Sequence, residues 1–167
     1  MKDINMLYKN CVCKLDDINI KVGNIRGVKV NTRAKSRLGR CTKKNSRCED
    51  AYYIIEICSD LLDDSMPDKT AETTMLHELL HTCDGCMNHG YRWQALANKV
   101  NNTYGYNVKR TTSYEEAGIK DMRIRTAKHK IVCEKCGKAV YRMRESKLTK
   151  YPNCFRCQCG GDLRKEY

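Results

Sequence analysis

The 167-residue sequence predicts an α+β chain in which a small sheet packs on helices, followed by a short cysteine-paired β module. Three observations predict it. Between Ile18 and Cys58 the apolar residues alternate with polar ones or form a β-branched run, as strands do. From Lys69 to Tyr104 they recur at helical spacing instead. From Lys130 onward, strand-like pieces separate pairs of cysteines.

Each element has its own signal. Ile4, Leu7, Tyr8 and Cys11 predict a short amphipathic helix over residues 3–12. Ile18, Ile20 and Val22 read as a half-buried strand, and Val28 and Val30 carry the alternation into the basic stretch Asn31–Arg40. Tyr52–Cys58 is β-branched and aromatic enough for a buried strand, with Gly39–Asp50 as the polar hairpin loop before it. Ser65, Pro67 and Asp68 supply helix-start chemistry for a helix from Lys69 to Cys83. Met75, Leu76, Leu79 and Leu80 give this helix its apolar face. Gly85 and Gly90 bracket a tight loop. A second helix starts near Tyr91, buries Trp93, Leu96, Ala97, Val100 and Tyr104, and ends over Asn101–Gly105. Residues 107–128 are polar and aperiodic, so the domain boundary is placed near 128: residues 1–128 form the main domain and 129–167 the cysteine module.

Composition narrows the class. Hydrophobic residues make up 41% of the chain, enough for a core. No apolar run approaches the roughly 18 residues of a membrane span, and MKDINMLYKN lacks the apolar stretch of a secretory signal, so a cytoplasmic location is expected. In a reducing compartment the 12 cysteines, many in short pairs, are metal ligands and free thiols rather than disulfides. The formal charge of +12 calls for an anionic partner, nucleic acid above all. It is uneven: residues 120–167 hold 14 Lys/Arg against 5 Asp/Glu, and residues 1–119 hold 18 against 15.

The central motif is His77-Glu78-Leu79-Leu80-His81, inside the best predicted helix. Spacing i, i+4 sets two imidazoles on one helix face within reach of a single ion. Glu78 lies beside them, where its carboxylate can take a proton from water activated by zinc. A catalytic zinc needs a third protein ligand and one open position. His89, eight residues on and across the Gly85 turn, is the first candidate; Glu115 or Glu116 is the alternative. The metzincin spacing fails, because its Gly and His positions hold Asp84 and Met87. Cys83 and Cys86 read as buried thiols that shape the loop, with a second metal site as the alternative.

Cys133-Glu134-Lys135-Cys136-Gly137 has the form of a zinc knuckle. For the other half, Cys157 and Cys159 with the Gly160–Gly161 pair compete with the Cys154–Cys157 spacing, and the first pair is preferred. Four thiolates make a closed, structural zinc. Lys138, Arg142, Arg144, Lys147 and Lys150 interleave with Tyr141 and Tyr151, a pattern suited to phosphate contact and base stacking. Arg33, Lys35 and Arg37 form a second basic strip, expected on one strand face, with Arg40 beside it.

The residues Leu76–Cys83, then Asn88-His89-Gly90-Tyr91-Arg92-Trp93, resemble the SprT-like family, bacterial relatives of the Spartan DNA–protein crosslink protease. Thr32–Cys41, Tyr53–Ile57 and the terminal cysteine ribbon support the likeness, which spans residue 20 to the end. Leu38 departs from it, standing where a Trp is expected. The resemblance implies a zincin-like metalloprotease core with a small antiparallel sheet on helices carrying HExxH, and a C-terminal zinc ribbon. It implies His77, His81 and His89 as ligands of a catalytic zinc and Glu78 as catalyst. The expected function is a zinc-dependent endopeptidase acting on DNA-bound or DNA-crosslinked proteins, with one catalytic and one structural zinc, and with single-stranded or damaged DNA as partner. The alternatives are a non-catalytic zinc-containing nucleic-acid-binding protein and a peptidase of ordinary soluble substrates.

Overall fold

A computed structural model describes residues 1–34, 37–45, 50–113, 116–119 and 127–167. The chain forms two compact units, Met1–Ile119 and Lys120–Tyr167. Among the described residues no helix is long and apolar enough to cross a membrane.

The first unit opens with α1 (Ile4–Asp17), capped by the Asp3 carboxylate, which accepts from the Asn5 amide at 2.7 Å. Its buried row is Leu7, Cys11 and Leu15, one turn apart. Leu15 extends the helix beyond the expected 3–12, and Ile18, Ile20 and Val22 belong to no strand. The reason lies at Asn19, which adopts φ 55°. The Ile20 amide then reaches back to the Leu15 carbonyl, and the Asn19 amide to that of Asp16, both at 2.8 Å. That is a Schellman closure with its customary apolar contact, which mimics strand alternation in the sequence.

Three strands follow: β1 (Ile25–Asn31), β2 (Gly39–Lys44) and β3 (Tyr52–Cys58). Their order is β1-β3-β2. β3 is central and buries Tyr53, Ile55 and Ile57 against the helices. It pairs antiparallel with β2 but parallel with β1, so the sheet is mixed, not antiparallel as expected. The expected loop Gly39–Asp50 contains β2, whose residues GRCTKK show no apolar alternation because it is an edge strand. The basic strip departs from expectation too. Arg33 and Arg37 lie outside the strands and only Arg40 is in one; Lys35 lies outside the described residues.

The helix α2 (Asp68–Leu80) begins at Pro67 without a side-chain cap, and Ser65 instead bonds the Asp63 carboxylate. Its buried residues include Met75, Leu76, Leu79 and Leu80, all at 0% exposure. The helix α3 (Tyr91–Tyr104) buries Trp93, Ala97 and Val100, and ends at Gly105. One polar cluster ties three segments together. Lys14 Nζ of α1 donates to Glu72 Oε1 of α2 at 2.8 Å and to Tyr106 Oη at 2.6 Å, while Tyr106 Oη donates to Glu72 Oε2 at 2.5 Å.

The second unit is a three-stranded antiparallel sheet of order β5-β4-β6, made of β4 (His129–Cys133), β5 (Ala139–Arg142) and β6 (Leu163–Lys165). A single-turn helix α4 (Lys147–Lys150), with a Ser146–Thr149 capping box, links β5 to the cysteine turn.

Candidate metal centre and cleft

The helix α2 sets His77 and His81 one turn apart, and Leu76, Leu79 and Leu80 anchor it in the core on the other side. The helix stops at His81, its C-cap. The chain then folds sharply through Thr82 and Cys83, whose amides bond the Leu79 and Leu80 carbonyls at 2.9 and 3.2 Å. Gly85 takes φ +71°, a conformation other residues adopt at a cost, and the reversal it allows returns His89 to the histidines of α2. Gln94 Nε2 donates to the His89 carbonyl at 2.8 Å and holds the returning strand on α3.

The result is a triangle of imidazole nitrogens. Nε2 of His77, His81 and His89 lie 3.2, 3.1 and 3.0 Å from one another. A tetrahedral zinc site with Zn–N near 2.0–2.1 Å sets its nitrogens about 3.3 Å apart. His77 Nδ1 is 3.0 Å from the Lys109 carbonyl and His81 Nδ1 is 2.8 Å from the Cys86 carbonyl. Carbonyls only accept, so both Nδ1 atoms carry the proton and both Nε2 atoms present lone pairs. Lone pairs aimed at one another within 3.2 Å repel unless a cation lies among them. Burial and the neighbouring imidazoles push His77 down to about 4, and burial first of all lowers His81 and His89 too. All three are therefore neutral at pH 7, the form that ligates a metal.

Trp93 walls this triangle. Its ring centroid lies 4.8, 5.5 and 4.6 Å from those of His77, His81 and His89, and the side chain is 1% exposed.

Glu78 turns under β2. An atom added at Gly39 in place of its hydrogen would meet Glu78 Oε1 at 2.5 Å, so only glycine lets the strand lie this close to the carboxylate. Burial pushes Glu78 up to about 8, against a backbone hydrogen bond from Cys41 and the charge of Arg37. A nearby cation favours the ionised form. His77 and Glu78 open on a cleft of about 200 Å³ lined by Leu38 and Gly39 on one side and Val108–Thr112 on the other.

Cys83 and Cys86 are buried thiols, and burial pushes Cys83 up to about 11. Among the described residues they belong to no metal-ligand group. Glu116 is tied to Lys109 Nζ at 2.6 Å and to the Ser113 amide at 2.9 Å, apart from the histidines. Glu115 lies outside the described residues.

In the second unit the thiols of Cys133, Cys136, Cys157 and Cys159 gather within 4.8 Å of one another, and Cys154 is not in the group. Sγ of Cys133 and Cys159 are 3.5 Å apart, and those of Cys136 and Cys157 3.7 Å. A backbone hydrogen bond from Cys136 is the main cause that lowers the Cys133 thiol, while Cys159, despite a backbone hydrogen bond from Gly161, is raised by the Cys136 and Cys133 thiols beside it.

Several contributors carry no motif. The carbonyls of Lys109 and Cys86 orient two histidines but are invisible to residue type. Asn101 pins Val108 through two bonds, Val108 N to Oδ1 at 2.7 Å and Nδ2 to the Val108 carbonyl at 2.9 Å. Only the asparagine near a helix end could have signalled it.

The model of the SprT-like family matches residues 15–113, which include all three histidines and Glu78. No curated protein matches the chain.

Proposed function

Since the chain belongs to the SprT-like family, a family of metallopeptidase type, we propose that it is a zinc-dependent endopeptidase acting on proteins bound or crosslinked to DNA. The observation that carries the reading is the set of three converging Nε2 atoms beside a buried carboxyl group that opens on a cleft.

In this zincin-type mechanism His77, His81 and His89 would hold the ion through Nε2, and a zinc there would supply Lewis acidity that lowers the pKa of water towards about 7 and polarises the scissile carbonyl. Glu78 takes the proton of the attacking water and passes it to the amine nitrogen as the C–N bond breaks. The carbonyls of Lys109 and Cys86 keep the imidazoles in the ligating tautomer. Trp93 excludes water from their outer side and limits ring rotation. Gly39 of the edge strand β2 and Leu38 just before it border the cleft, and among the described residues β2 pairs with β3 alone, so an extended peptide can lay its backbone along it.

The Cys133, Cys136, Cys157 and Cys159 group binds a structural zinc, because four thiolates leave no open position. The second unit supplies the DNA contact. Its positive excess lies around Lys138, Arg142, Arg144, Lys147 and Lys150, and Tyr151 and Phe155 stand 60% and 39% exposed for stacking.

The test is a cleavage assay on a DNA-binding protein, with and without single-stranded DNA and chelator. Cleavage should require metal, rise with DNA and vanish in Glu78→Gln at unchanged zinc content. Full cleavage by Glu78→Gln removes Glu78 from the chemistry. The basic second unit also favours a second reading, a non-catalytic nucleic-acid-binding zinc protein. That reading predicts salt-sensitive DNA binding without turnover.

A further inference from the structure

We propose that Arg110, which lines the cleft on which His77 and Glu78 open, stabilises the oxyanion of the peptide-hydrolysis transition state; this rests on the hydrolase reading above.

The chemistry demands such a group. The water oxygen bonds to the carbonyl carbon, the C=O π pair moves to the carbonyl oxygen, and Glu78 holds the proton released. Collapse restores the C=O bond, breaks the C–N bond and sends the proton to the amine. Negative charge peaks on the former carbonyl oxygen between these events, and a donor aimed there acts mainly on the transition state.

The cleft offers three cations, Arg37, Lys109 and Arg110. Lys109 Nζ is engaged with Glu116 at 2.6 Å. Arg37 lies 3.9 Å from the Glu56 carboxylate, and its charge acts on Glu78. Arg110 has no ion pair or hydrogen bond among the described residues, although its charge is felt at His89.

Its backbone is nonetheless fixed. Val108 is 3% exposed and clamped by Asn101, and the Lys109 carbonyl accepts from His77 Nδ1 at 3.0 Å. The residue that follows, Arg110, lines the same cleft as His77 and Glu78. A guanidinium there is repelled by a dication and unrewarded by neutral imidazoles. An oxyanion arriving between the two cations reverses that balance, so the interaction is stronger in the transition state than in the resting enzyme.

The test uses the zinc-loaded full chain and a short peptide substrate without DNA. Arg110→Ala should lower kcat about 10²–10³-fold, with KM changed only a few-fold. Arg110→Lys should recover part of the loss, and so should guanidinium added to Arg110→Ala. A phosphinic peptide, which mimics the tetrahedral centre, should lose affinity in parallel with kcat, while zinc content and thermal midpoint stay unchanged. A kcat within about threefold of wild type, a loss confined to KM, or a loss seen only with DNA present would overturn the assignment. A wild type inert on every peptide and protein substrate sinks the hydrolase reading and this inference with it. An active wild type with an indifferent Arg110→Ala sinks this inference alone.

Discussion

Gly39 lies against the carboxyl group of Glu78, the proposed general base. A methyl group there would meet Glu78 Oε1 at 2.5 Å and Cγ at 2.7 Å, so the stem of the side chain must move and not only its tip. A displacement of about 1 Å in a catalytic group costs on the order of 10²-fold in rate. Gly39→Ala is expected to lose that much cleavage at full zinc occupancy; peptide assays run beside metal analysis check it, and a wild-type rate would show the approach to be irrelevant. The chain's single tryptophan offers an independent probe. Trp93 lies within 5.5 Å, centroid to centroid, of all three imidazoles, so Co²⁺ added to metal-free protein should quench its fluorescence. Alanine at His77, His81 or His89 should each raise the quenching midpoint beyond the roughly 10–100-fold that loss of an outer-shell partner costs. Unaltered titrations in the three variants would place the ion elsewhere. That His77, Glu78 and His81 share one helix and its C-cap was legible because spacing on a helix fixes direction, whereas the return of His89 depends on the turn at Gly85. Gly39 was not, because its role is set by a strand that reaches it from elsewhere in the fold.

At the scale of elements, α3 was legible from its apolar periodicity, since it buries one stripe. The helix α2, expected to run to Cys83, ends at Leu80 because Thr82 and Cys83 turn back on the Leu79 and Leu80 carbonyls. The strands were less legible, for physical reasons. Ile18 and Ile20 follow a helix closure, where alternation arises from a left-handed turn at Asn19. β2 shows no apolar alternation because it is an edge strand, part-buried only at Gly39, Cys41 and Thr42. The parallel β1–β3 pairing leaves no local mark at all, because it is decided by a crossing of the chain. The segment after α3 read as polar and aperiodic, yet Val108 and Lys109 form a strap bound to α3 and α2. Asn101→Ala removes both bonds to Val108 and leaves its amide and carbonyl to find other partners, a cost of about 1–3 kcal/mol. It should also weaken zinc binding about tenfold, through the loosened Lys109 carbonyl on His77. Thermal unfolding and the Trp93 titration measure the two effects, and a destabilised variant with wild-type metal affinity would uncouple the strap from the site.

On the scale of the whole molecule, the two units hold their structure by different means. Met1–Ile119 has a continuous core running from Leu7 to Ile119, large enough to fold around its apolar residues. In Lys120–Tyr167 the buried residues among those described are Ile131, Cys133, Thr149 and Gly161. So little apolar area cannot offset the ordering of a segment this size, a deficit that the proposed metal at the four thiols would meet. Cys136→Ser breaks that site without touching the cleft. The second unit should lose its ordered amide dispersion in NMR spectra, while cleavage of a short peptide without DNA stays within about threefold of wild type. DNA affinity should fall at the same time, and the salt dependence of binding should flatten by about 0.7 in the log–log slope for each phosphate contact to single-stranded DNA that is lost. Fluorescence anisotropy of a labelled oligonucleotide between low and moderate salt reads this slope directly. If Cys136→Ser binds DNA with the wild-type slope, the phosphate contacts lie on the first unit, around Arg33 and Arg40, and the cysteine unit has some other task.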